Sequence, residues 1–200
     1  DIIDNQISNS AQSCIYVEYL SELSEGRIQG NTMSDNPLAD CGIYMPTGLD
    51  DGARLTIEGN TVSGNQGFGC NLYEVKNGAY LAVLDNDLSN NAEDGLYIET
   101  LDYGCEGLIQ GNTITGNGDG VYLYGQVGYG SLLTVEGNTI SGNSDYGVLI
   151  NGVDDRSRLD MLDNEITDNR VGVYINDIEN LSEGRLEGNT ISDNGEGTYD

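Results

Sequence analysis

Histidine and tryptophan are absent from this chain, and only seven of its 200 residues are Lys or Arg. Without imidazole the chain lacks the commonest general base at neutral pH and the commonest nitrogen ligand for zinc. The seven basic residues face 34 acidic ones, a net charge of −27. Such a surface repels nucleic acid and anionic lipid, so neither is expected as a partner. No apolar run reaches membrane-spanning length, which argues against membrane insertion. No window shows a sustained helical stripe, which argues against helices. The four cysteines form no Cys-x-x-Cys pair, so a zinc site is not expected from them either.

What the chain does contain is a recurring seven-letter phrase. It reads GNTMSDN from Gly30, GNTVSGN from Gly59, DNDLSNN from Asp85, GNTITGN from Gly111, GNTISGN from Gly137, DNEITDN from Asp163 and GNTISDN from Gly188. A truncated copy starts at Asp4. The leading asparagines (Asn5, Asn31, Asn60, Asn86, Asn112, Asn138, Asn164, Asn189) are spaced by 26, 29, 26, 26, 26, 26 and 25 residues. A period in the twenties with one apolar phrase per copy marks a solenoid.

Each copy holds three short alternations of apolar and polar residues. One precedes the leading Asn, as in Leu133-Thr134-Val135. One aliphatic follows the Asn by two residues: Met33, Val62, Leu88, Ile114, Ile140, Ile166, Ile191. A Gly-led run closes the copy, as in Gly120-Val121-Tyr122-Leu123. Period-two alternation between Gly, Asn and Asp turns predicts strands. Three strands per coil and about eight coils give an all-β parallel β-helix, a single solenoid over residues 1–200. The chain opens and closes partway through a coil, so it is expected to be a segment of a longer protein. A second asparagine column (Asn36, Asn65, Asn91, Asn117, Asn143, Asn169, Asn194) lies five residues after the first. Both columns are expected to form tight bends, because Asn tolerates a left-handed backbone, and to bond from coil to coil.

The phrase I-x-G-N-T-I-S-G-N followed by G-V-Y-L resembles the right-handed parallel β-helix repeats of pectate-lyase-like proteins. The resemblance covers essentially the whole chain. It implies a right-handed, single-stranded β-helix. It leaves activity open, because the fold serves lyases, hydrolases, adhesins and inert stalks alike. In polysaccharide-active members, the resemblance implies, the cleft follows the outer face of the Gly-led strand.

With Val121 and Leu123 facing inward, the outward column of that strand reads Tyr16, Tyr44, Asn71, Tyr97, Tyr122, Leu149, Tyr174. The next reads Glu18, Pro46, Tyr73, Glu99, Tyr124, Asn151, Asn176. Tyr16, Tyr44, Tyr97, Tyr122, Tyr174 and Glu99 are the candidate glycan-binding residues, offering aromatic planes beside a carboxylate. The same tyrosines could equally brace the sheet. Turn carboxylates at Asp50, Asp51, Glu99, Asp102, Asp154 and Asp155 are candidate Ca²⁺ ligands on composition alone. Cys14 and Cys41 are the favoured pair for a disulfide, with Cys41–Cys70 competing, whereas Cys105 falls in a column of Ser and Ala.

No catalytic residue is assigned. Pectate-lyase-like elimination is implied by the resemblance to need a basic Arg or Lys, and Arg27 and Arg185 are expected to pair with Glu25 and Glu183 instead. Galacturonase-like hydrolysis is implied to need clustered aspartates, whereas Asp40, Asp94, Asp119 and Asp145 flank the strand. The strand before the leading Asn also comes in three types that cycle every three coils, as in SEGRIQGN, CEGLIQGN and SEGRLEGN. Duplicated surfaces suit a multivalent binder or stalk more than one catalytic centre. The reading is therefore a non-catalytic, extracellular or cell-surface module, a rigid spacer or adhesin-like stalk, with the outward tyrosines as its candidate polysaccharide-binding face. The alternatives are a polysaccharide lyase or glycoside hydrolase, and a subunit that associates end to end into fibres.

Overall fold

The structure is a computed structural model that describes residues 1–34 and 36–199. The described residues contain strands and turns but no helix. One coil shows the plan. Tyr80–Leu84 runs into Asp87–Ser89, which bends into Leu96–Leu101 before the chain turns up to Glu106–Gln110. Strands one coil apart pair in parallel, in the order of the sequence. They build two eight-stranded sheets and a ten-stranded third sheet that includes two short side strands. This is the stacked three-strand solenoid expected from the repeat, with seven complete turns between the first and the eighth strand of the first sheet.

The core is a set of aliphatic columns. Val62 pairs with Leu88, Leu88 with Ile114, Ile114 with Ile140 and Ile140 with Ile166. All five are fully buried. Columns from the other two sheets, such as Leu55–Leu81 and Leu96–Val121–Val148–Val173, face them across the interior. Because each coil touches only its neighbours, stability accumulates coil by coil.

Both asparagine ladders form. The amide nitrogen of each leading Asn donates to the amide oxygen of the next, at 2.8–3.0 Å from Asn5 through Asn189. The second ladder runs from Asn36 to Asn194 at 2.8–3.2 Å. The bends themselves are not made by these asparagines. The left-handed residue is the one before each: Gly30, Gly59, Asp85, Gly111, Gly137 and Asp163, with φ of 52–67°. Gly64, Asn90, Gly116, Gly142 and Asp168 do the same for the second ladder. The ladder asparagine is thereby free to turn its amide inward, where it replaces backbone partners that the corner has lost. In the first coil Asn9 (φ 59°) is this left-handed residue, and the backbone N–H of Ser10 donates to Asn36 Oδ1.

The glycine that opens the third-sheet strand has a packing cause. A Cβ on Gly95 would meet Ile114 Cγ2 at 2.5 Å and Asn117 Nδ2 at 2.9 Å. The core column and the second ladder of the next coil occupy that space. The third corner, leading back to the first sheet, uses two consecutive left-handed residues, such as Asn77-Gly78 and Tyr103-Gly104. Cys105 lies behind this corner among small residues, as expected. Its backbone N–H donates to Ser131 Oγ, and Ser131 and Ser157 continue the chain of bonds.

Candidate functional site

The expected outward column forms on the third sheet in the expected register. Tyr16 pairs with Tyr44, Tyr44 with Asn71, Asn71 with Tyr97, Tyr97 with Tyr122, Tyr122 with Leu149 and Leu149 with Tyr174. Parallel pairing places a ring on neighbouring coils, ~4.8 Å apart along the axis. The rings touch edge to face: Tyr16–Tyr44 at 5.7 Å and Tyr97–Tyr122 at 5.5 Å between centroids. The next column joins in, with Tyr73 on Tyr44 at 6.2 Å and Tyr124 on Tyr122 at 5.9 Å. Tyr16 and Tyr124 are exposed, whereas Tyr44, Tyr97, Tyr122 and Tyr174 are half-buried.

Two further aromatics belong to this face and were not expected there. Phe68 packs on Tyr97 at 5.4 Å, and Tyr146 on Tyr174 at 5.7 Å. Each lies three residues before a position where the column lacks tyrosine, Asn71 and Leu149 respectively. Each leans onto the tyrosine of the following coil and so bridges the gap. The signal was available in the sequence: the residue before the strand glycine reads Cys41, Phe68, Asp94, Asp119, Tyr146, Val171.

Carboxylates line the same edge. The Tyr97 hydroxyl donates to Glu99 Oε2 at 3.1 Å. Burial, and then the neighbouring Glu99, push the Tyr97 phenol well above its ordinary range. Asp94 and Asp119 stack in consecutive coils and cap backbone groups: the Asp119 N–H donates to Asp94 Oδ1 at 3.0 Å, and the Tyr146 N–H to Asp119 Oδ1 at 2.8 Å. Burial pushes the Asp94 carboxyl up to about 7, with Asp119, Glu93 and Asp145 adding to the rise and the donated Asp119 N–H opposing it. Burial also raises Asp119.

Three of the seven basic side chains pair with acids away from the rings. Lys76 pairs with Glu74, and Arg158 with Asp160 at 2.8 Å. Arg185 pairs with Glu187 and not with the expected Glu183, although both lie two residues away on the same face of the strand. Arg170 borders the aromatic face: its guanidinium bonds Asp145 at 2.8 Å and lies 5.0 Å from the Tyr146 ring centroid.

The expected calcium ligands are not gathered. Asp50, Asp102 and Asp154 occupy the same corner position of alternate coils, with Lys76 and Gly128 between them. Two coil steps separate successive carboxylates by roughly 10 Å. A Ca²⁺ ion with ligands at ~2.4 Å spans about half that distance. Asp50 and Asp154 instead accept from the turn N–H groups of Asp51 and Asp155, both at 2.7 Å, and from Asn77 and Asn180. Glu99 lies on the aromatic face. Among the described residues no group of three or more His, Cys, Asp or Glu is placed to hold a metal ion.

The Cys14–Cys41 bridge is also not formed, and all four cysteines are free. Ile15 pairs with Ile43, which sets Cys14 beside Gly42 and one residue out of register with Cys41. A one-residue offset sends the two side chains to opposite faces. Cys14 approaches the second ladder, with its sulfur 3.8 Å from Asn65 Oδ1, and Cys41 lines the outer groove. Cys41–Cys70 fails because Cys41 pairs with Phe68 and Cys70 with Ile43, two residues out of register, and Cys70 points into the core.

Parallel strands wound coil on coil, with in-register core columns and an amide ladder at two corners, define the parallel β-helix class. The chain belongs to the right-handed β-helix family: the model described as "Right handed beta helix region" matches residues 1–152 and again 75–199. No curated protein and no solved structure matches it.

Proposed function

We propose that this β-helix is a non-catalytic glycan-binding module of an extracellular or cell-surface protein, and that the outer face of the third sheet is its recognition surface. The observation that carries this reading is the aromatic file itself. Rings from Tyr16 through Tyr174 follow one face, and the two gaps in the file are bridged by Phe68 and Tyr146. A linear polysaccharide presents a C–H face to each ring and hydroxyls to the acids beside them. The net charge of −27 disfavours acidic polymers and leaves neutral or basic ones. The test is a glycan screen followed by the double substitution Tyr97→Ala with Tyr122→Ala. Loss of binding in a variant whose circular dichroism is unchanged supports the module. A screen without a hit, with the double variant merely less stable, would leave the rings as braces of the sheet.

One observation favours a second reading, glycoside hydrolysis. Asp94 and Asp119 are neighbouring carboxyls beside Tyr97 and Tyr122, and Asp94 is held near neutrality. A carboxylic acid beside a second carboxylate is what such a reaction needs. Against it, one oxygen of each is already engaged in capping a backbone N–H. New reducing ends from any polymer, lost in Asp94→Asn, would establish the hydrolase and displace the first reading.

A further inference from the structure

The aromatic file is interrupted at Asn71, and the interruption is chemically unlike the rest of the face. The Asn71 side chain is enclosed, with a relative exposure of 8%, between Tyr44 and Tyr97 of the adjoining coils. Its amide oxygen is buried and has no hydrogen-bond partner. The ladder asparagines of this protein, by contrast, bond to one another coil after coil. A buried acceptor without a donor is costly to maintain and rare in native proteins, so it calls for an explanation.

A groove of about 490 Å³ opens over this amide, within the size range of small-ligand sites. Tyr44 and Phe68 supply ring surface, Asp40 and Glu93 stand at the rim, and the Cys41 thiol lies in the wall. Burial and then the Asp40 carboxylate push that thiol up to about 11, against the opposing hydrogen bonds it shares with the Asn71 side chain and the Phe68 backbone, so it is neutral in water at ordinary pH. Among the described residues no Lys or Arg lines the groove. Its charge is therefore entirely negative, and its unmet need is for a donor. Any side chain at Gly67 would strike the Asp40 carbonyl, which keeps that part of the wall bare backbone.

We propose that this groove is the subsite for a protonated amino sugar within a glycan lying on the tyrosine face. The ammonium group meets Asp40 and Glu93, with ring faces close by for cation–π attraction. Asn71 Oδ1 is closed to solvent, so it accepts from a sugar hydroxyl or N–H only once the side chain turns toward the groove. The pyranose C–H face rests on Tyr44 and Phe68. A bare metal ion would make no use of the ring faces, and a linear polyamine has no hydroxyl-bearing ring to stack on them. The inference rests on the glycan-binding reading above and narrows it to polymers that carry free amines.

Calorimetric titration with β-1,4-linked glucosamine tetramer, and with its fully N-acetylated counterpart, separates the two. The two oligomers share a backbone and differ in charge. The glucosamine tetramer is expected to bind about tenfold more tightly. Asn71→Leu and Asp40→Asn should each remove that preference, whereas Glu136→Gln, which deletes a charge on the first sheet, should keep it. Equal binding of both oligomers would overturn the subsite and leave the recognition face standing. Binding of neither would overturn the subsite, and the glycan screen then decides the recognition face separately. A preference that survives Asn71→Leu and Asp40→Asn, or falls equally in Glu136→Gln, would be bulk attraction to the acidic surface and would overturn the subsite. Asp40 is exposed, so its substitution remains informative even if Asn71→Leu folds poorly.

Discussion

Replacing Asn112 by aspartate changes one NH₂ group into oxygen and tests the amide ladder at its centre. Asn112 is fully buried. Its Nδ2 donates to Val83 O at 2.8 Å, to Asn138 Oδ1 at 2.9 Å and to Gln110 O at 3.1 Å. Its Oδ1 accepts from the backbone and side-chain nitrogens of Asn86 at 2.9 and 3.0 Å. An aspartate keeps the accepting half and turns the donating half into an oxygen facing three oxygens. Losing two good donated bonds, at ~1 kcal/mol each, and leaving a buried charged group unsatisfied, at ~1–3 kcal/mol, sums to ~3–5 kcal/mol. For a chain of this size that is roughly 10 °C in melting temperature. The carboxyl should resist ionisation, so its folded pKa lies above its unfolded value of about 3.9. The ionisation part of the penalty is then absent below about pH 4 and grows as pH rises toward the folded pKa, whereas the donated bond that a protonated carboxyl cannot replace is lost at every pH. Thermal melts of wild type, Asn112→Asp and Asn112→Ala at pH 7 and pH 4 read this directly. The wild type–aspartate gap should shrink on acidification, and the wild type–alanine gap should not. An aspartate variant as stable as wild type at pH 7, or a gap indifferent to pH, would refute the ladder's donor–acceptor order.

The other expectations follow from single contacts. Asp94 has a folded pKa raised from 3.8 to about 7, so it costs stability increasingly as pH rises through that window. Asp94→Asn keeps an acceptor for the Asp119 N–H and should raise the melting temperature at pH 8 but not at pH 4, which a pair of melting curves checks. Ile140→Ala should cost ~2–5 kcal/mol in denaturant unfolding, because the column around it leaves a cavity. Since the turn carboxylates are not gathered, CaCl₂ and MgCl₂ at equal concentration should shift the melting temperature equally, and a calcium-specific rise would show a site. Leu23 is left-handed at φ 61° and 78% exposed, at a corner position filled in four other coils by Gly52, Gly78, Gly104 and Gly130 and in two by Arg156 and Leu181. Leu23→Gly should therefore be neutral or stabilising by up to about 1 kcal/mol in the same unfolding assay.

The coil was legible because its grammar repeats. The spacing of the leading asparagines sets the stacking, and period-two alternation decides which way Tyr97 and Val121 face. The left-handed residue lies one position before the expected asparagine, because glycine, aspartate and asparagine all suit that conformation and only the bonded ladder distinguishes them. The cysteines mislead for a related reason. Counting from the second ladder aligns Cys14 with Cys41, but pairing of Ile15 with Ile43 displaces them by one residue. The groove at Asn71 was invisible as a groove, because the sequence shows an interruption in a column and not what encloses it. The pairing of Phe68 with Tyr97 depends on a side chain leaning across to the next coil, which strand alternation alone does not describe.

Duplication and uniqueness act on different parts of this surface. The ladders and core columns are nearly the same in each coil, so they argue for a repeating scaffold and say little about a ligand. Edge-to-face contacts tie the tyrosines to one another, and those contacts alone would stabilise the sheet. What bracing does not require is a buried amide oxygen left without a donor between two rings. If the face served only to hold the coils together, an aromatic or aliphatic residue at position 71 would serve better, as Tyr97 and Leu149 do at the same register. The departures from the repeat are therefore where recognition is to be sought, and Asn71 is the departure whose chemistry is incomplete without a partner.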